Sequence, residues 1–209
     1  GRVGGSLRVN APMSFGQRHL APLLPGFHAA YPEVMLRLDL DDRFVDPAQH
    51  GADVTLRIAQ LPEHLDLVAR PLATAPRYLV ASPDYLARAG SPADPAALAQ
   101  HACLHYGEAA SGSQWQFQRD GQQVAVSAKG PVCSNNGDLL LRAAIDGLGL
   151  TVLPEFLLRQ ALQAGHLRAV LSDWRVTPDI GVFALYAPAS KQQPAVRAFV
   201  EYLQQHLSL

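Results

Sequence analysis

Three side chains that bind metals well stand at alternate positions in HACLHY, residues 101–106: His101, Cys103 and His105. On a strand they would point to one side, and imidazole and thiolate are donors that zinc prefers. No fourth ligand is evident, so the spacing alone is a weak metal set and no metal is assigned. GLGLTV, residues 147–152, carries two glycines of a dinucleotide fingerprint but lacks the third. It also precedes a strand where the fingerprint should follow one. There is no G-x-S-x-G elbow, P-loop or H-E-x-x-H, and the Ser-rich ASGSQW reads as a solvated loop. Trp115 and Phe117 alternate on a predicted strand and read as core. With no acid–base or nucleophile set, the chain does not read as an enzyme, and no cofactor is implied.

A different chemistry sits where predicted strands end. Ser14 follows the strand in SLRVNAP, Arg57 stands at the end of DVTLR, Ser82 follows YLVA, and Ser134, Asn135 and Asn136 follow GPVC. Leu153, in LTVL, is added to this set. In open α/β sheets ligands bind beyond the carboxyl ends of strands. Exposed helix N-termini favour an anion, and an arginine fork suits a carboxylate. Taken singly, Ser14, Asn135 and Asn136 read as ordinary helix caps and Arg57 as an ion-pair partner. Only together do they point to a small organic acid.

The elements that must position these groups alternate between two periods. Leu7 to Val9 is a strand. Leu20, Leu23, Leu24, Phe27 and Tyr31 recur at helical spacing, while Pro22 and Pro25 imply an irregular first turn or a kink. VMLRLDL alternates with a period of two, hence a strand with one face buried. FVDPAQHGA predicts a short helix or turn, and DVTLRI a strand ending at Arg57. RYLVASPDYLARAG predicts a strand, Ser82 as N-cap, Pro83 in the first turn and Gly90 as stop. Pro95–Gln100 predicts a helix, ACLHY a strand and RDGQ a hairpin turn. SNNGDLLLRAAIDG predicts a capped helix, followed by strand LTVL, helix EFLLRQALQAG, strand IGVFALY and a final helix from Pro194 to Leu207. Strands alternating with helices argue for an α/β fold with mostly parallel sheets. The same strand-loop-helix grammar in both halves suggests two lobes, residues 1–73 with 190–209 and residues 74–189. The crossings fall near Leu72–Pro76 and APASKQQP.

Bulk properties narrow the class further. A chain of 209 residues can bury a real core. Its 48% hydrophobic and 17% charged residues are ordinary for a globular protein. A net charge of -1 gives no basic footprint, so this chain alone is not expected to grip nucleic acid. No apolar run is long enough to span a membrane. The start GRVGGSLRVN has neither an initiating Met nor a signal-peptide core, and reads as a start within a longer chain. Two cysteines are too few for a disulfide framework, so Cys103 and Cys133 read as buried free thiols, with a redox pair as the minor reading. Cytoplasm is the default location.

The order of motifs resembles one family. LRVNAPMSFGQRHLAPLLPGFHAAYPEVMLRLDLDD, VDPAQHGADVTLRI, LVARPLA, YLVASPDYLARAG, HACLHY, WQFQRDG, NNGDLLLRAAIDGLGLTVLPEF, GHLRAVLSDW and VRAFVEYL run as in the effector-binding domain of LysR-type transcriptional regulators. The resemblance covers nearly the whole chain. It implies a periplasmic-binding-protein-like fold, two α/β subdomains joined by two crossover segments, with a small-molecule inducer in a cleft between them. By the same resemblance the inducer pocket uses Met13, Ser14 and Phe15, then Arg57 and Ile58, then Ser134 to Asn136. The family has an N-terminal winged helix-turn-helix, absent from this chain, and only through it would promoter DNA be bound. A homo-oligomer, dimer or tetramer, is the implied assembly, and no membrane partner is implied. Two departures stand out: Ala59 where Gly is usual, which would narrow one wall of the pocket, and Pro47 in a helix that normally carries Leu or Val. The alternatives are a periplasmic-type solute-binding protein and, less favoured, an enzyme on the same scaffold.

Overall fold

The computed structural model describes residues 2–43, 51–107 and 113–209. FVDPAQH, with Pro47 and most of the predicted short helix or turn, lies outside the described residues, as do the first residues of ASGSQW. In chain order the strands are β1 (Gly4–Ala11), β2 (Glu33–Leu40), β3 (Val54–Ala59), β4 (Val68–Thr74), β5 (Arg77–Ala81) and β6 (Cys103–Tyr106). They continue as β7 (Ser113–Arg119), β8 (Gln122–Ala128), β9 (Cys133–Ser134), β10 (Leu150–Pro154), β11 (Arg168–Ala169), β12 (Arg175–Thr177) and β13 (Gly181–Tyr186). The α-helices are α1 (Met13–Phe15), α2 (Leu24–Ala30), α3 (Pro83–Ala89), α4 (Gly137–Ile145), α5 (Glu155–Gln163) and α6 (Pro194–His206).

Packing divides the chain into two units, Gly1–Thr74 with Ile180–Leu209, and Ala75–Asp179. The first change of unit falls inside the Leu72–Pro76 segment read from the sequence. The second differs from the sequence reading. APASKQQP contains a 3-10 turn over Pro188–Gln192 that leads into α6, and the return is made earlier, ahead of β13. The reason is pairing: β13 fits between β3 and β4 in the first unit's sheet, whose order is β2-β1-β3-β13-β4.

In the first unit β1 pairs parallel with β2 from Gly4↔Glu33 to Ala11↔Leu40. Leu7, Val9 and Ala11 are buried while Ser6 and Arg8 are exposed, the period of two made physical. The prolines act as expected. Before α2 the chain makes a π turn over Gly16–Leu20 and a 3-10 turn over Ala21–Leu23, because proline lacks the N–H that a regular helix would use. Phe27 of α2 meets Phe199 of α6 edge-on at 5.4 Å and Tyr202 at 5.5 Å. Gly26 is required there, since a Cβ would collide with the Tyr202 hydroxyl.

The second unit holds a five-stranded sheet, β11-β5-β10-β6-β9, and a three-stranded one, β12-β7-β8. The expectation of mostly parallel sheets is corrected. β13 runs antiparallel to both β3 and β4, β10 and β11 run antiparallel to β5, and the small sheet is wholly antiparallel. These strands meet their neighbours without the helical crossover that a parallel pair needs. The hairpin turn stands where RDGQ put it: Asp120 and Gly121 have φ of 49° and 76°, as a type I′ turn demands. Trp115 and Phe117 face inward with Leu79, Tyr85, Leu98, Cys103 and Val126, which makes them core. Pro95–Gln100 is a 3-10 helix capped by Asp94, and β3 runs on past Arg57 to Ala59. Burial pushes the Cys103 thiol up to about 11. Cys133 corrects the reading of two buried thiols: it is exposed, because β9 is a two-residue strand at the edge of its sheet.

Candidate functional site

In the first unit the chain leaves β1 at Ala11 and turns at Pro12 into α1. Pro12 occupies the cap position without a side-chain cap bond, and the Met13 N–H donates instead to Asp42 Oδ1 at 2.9 Å. Gly16 lets this turn settle onto β2, since a Cβ there would press on three side-chain atoms of Leu40. Met13 is exposed, Phe15 is buried and stacks on His19, with ring centroids 5.8 Å apart. Ser14, read from the sequence as a cap, is not one. It is the second residue of α1, only 7% exposed, and its Oγ has no hydrogen-bond partner. A buried hydroxyl left in that state costs about 1–3 kcal/mol.

Arg57 and Ile58 lie half-buried on β3, in register with Phe183 and Val182 of β13. Two residues before Arg57, hence on the same face of the strand, Thr55 is 4% exposed with its Oγ1 unpartnered. It pairs with Asn10 of β1. Sequence reasoning passed over Thr55; the available signal was a lone hydroxyl inside an apolar strand run.

The Ser134–Asn136 loop of the second unit is built the other way. Ser134 Oγ accepts the Asn136 N–H at 3.1 Å, and Asn136 Oδ1 caps α4 by accepting the Leu139 N–H at 3.0 Å. Asn135 stands half-buried between them. Beneath the loop, a Cβ on Gly137 would meet Leu157 Cδ1 at 2.5 Å, with Leu153 the next side chain. Leu153 is thus interior, 1% exposed. Ser82 is buried as well, and its Oγ caps α3 by accepting the Tyr85 N–H at 3.0 Å. The helix termini therefore give less to an anion than the sequence promised. α1 has three residues and hardly any dipole, while α4 is capped by Asn136 and carries Asp138 in its first turn.

HACLHY does not assemble a site. His101 precedes β6, and its Nδ1 hydrogen bonds with the Tyr85 hydroxyl at 2.8 Å. The Cys103 thiol donates to the Leu98 carbonyl at 3.6 Å. His105 is buried with Nδ1 unpartnered. Among the described residues no group of three or more His, Cys, Asp or Glu is placed to hold a metal ion. No helix among them is long and apolar enough to cross a membrane.

Two α/β units that exchange the chain twice, with polar loops at the ends of parallel strands, are the architecture of two-lobed ligand-binding regulators. A family model described as "LysR substrate binding domain" matches residues 1–208, and the chain belongs to that family. Its relatives include the HTH-type transcriptional regulator PtxR of Pseudomonas aeruginosa, 32% identical over 99% of this chain and 66% of the relative. DmlR of Escherichia coli, also an HTH-type transcriptional regulator, is 32% identical over 98% of this chain and 66% of its own length. The chain thus spans slightly less than two-thirds of these relatives. Among solved structures, the regulatory domain of CrgA from Neisseria meningitidis, a LysR-type transcriptional regulator, superposes with a TM-score of 0.84 at 27% identity, covering 98% of this chain and all of that one. The full-length virulence activator AphB of Vibrio cholerae gives 0.81 at 28% identity, covering 99% of this chain and 70% of that one. The periplasmic-binding-protein-like fold of two α/β subdomains is that of these regulatory domains.

Proposed function

We propose that this chain is the effector sensor of a LysR-type transcription regulator, and that its effector is a small carboxylate contacted in the first unit by Ser14 and Arg57. The observation that carries the reading is the Ser14 hydroxyl, buried and without a partner in a loop at the carboxyl end of a parallel strand. It is not capping a helix, so it has a hydrogen bond to offer to a bound ligand or water. An arginine fork two residues beyond a second unpartnered hydroxyl, Thr55, suits a carboxylate in preference to a neutral ligand. The regulator is a cytoplasmic homo-oligomer, and promoter DNA is held by a winged helix-turn-helix domain outside this chain. Effector binding shifts the regulator only by its differential affinity for two states. The relatives' names as transcriptional regulators support this reading over an enzyme on the same scaffold.

The test is a thermal-shift screen of the chain against aliphatic and aromatic carboxylates, run with Ser14→Ala and Arg57→Gln. A ligand at a hundred times its dissociation constant adds about 2.7 kcal/mol, seen as a clear rise in Tm. A carboxylate that stabilises the parent chain and is weakened by both substitutions supports the reading. Hits indifferent to both substitutions, or no hit among carboxylates, overturn it.

A further inference from the structure

We draw no further inference here: the strongest candidate, the exposed Cys133 thiol on edge strand β9 beside its register partner His105 on β6, rests on a lone cysteine, since the thiol donates to the Gly107 carbonyl at 3.1 Å and nothing in the structure shows the unpartnered His105 Nδ1 facing it.

Discussion

The Ser14 loop and the Ser134–Asn136 loop share a sequence grammar and differ in what they do with their polar atoms. Each follows a strand, opens a helix, and is seated by a glycine on a leucine: Gly16 on Leu40, and Gly137 on Leu157. In the second unit the side-chain oxygens of Ser134 and Asn136 are both consumed by backbone N–H groups of their own turn. In the first, the cap position is a proline and the buried Ser14 hydroxyl is left over. One loop spends its polarity on its own fold, and the other keeps a group in reserve. A serine before a helix thus carries two meanings, and only the local hydrogen bonds separate them.

The largest test of this comparison concerns the seats. Gly16→Val should destabilise the chain by about 3 kcal/mol, the upper end of overpacking costs, because the new side chain meets three atoms of Leu40. Urea unfolding would measure it, and Leu40→Ala in the same background should recover part of the loss. Gly137→Ala should cost less, since one Leu157 methyl at 2.5 Å stands in the way and the other contacts lie at 3.8 Å or more.

Smaller effects separate a working cap from an idle hydroxyl. Asn136→Ala should cost about 1 kcal/mol, the usual loss of a helix N-cap. Ser14→Ala should have the opposite sign in the ligand-free chain, a gain of up to about 1 kcal/mol from removing an unpaired buried hydroxyl, even while it weakens effector binding. Equal losses from both would break the comparison. Smallest is Asn135→Ala, expected within about 0.5 kcal/mol of the parent because its side chain makes no hydrogen bond or ion pair among the described residues.

Much of this was legible in the sequence. The two-period alternation of VMLRLDL, the Ser82-Pro83 helix start and the Asp120–Gly121 turn each have a local physical cause, and each stands where the residues put it. The family resemblance was legible too, because it rests on the order of many short motifs. What escaped was set by distant partners. Arg175–Thr177 is too short to show a period, yet it completes the small sheet by pairing with β7. The place of β13 depends on strands more than a hundred residues earlier. For the site, the loops could be named but not the state of their atoms: Ser14 idle, Ser82 and Asn136 engaged, Leu153 interior. Whether an oxygen is satisfied is decided by packing, which spacing does not report.

The position of β13 also bears on how the protein is made. It lies between β3 and the edge strand β4, fourth of the five strands in the first unit's sheet, and α6 packs beside β1. While Ile180–Leu209 is still unsynthesised, that sheet lacks an interior strand and the cover of α6, whereas Ala75–Asp179 is already complete as a continuous stretch. On the ribosome the second unit can therefore fold while the first must wait, its β3 and β4 edges open until Ile180–Leu209 emerges.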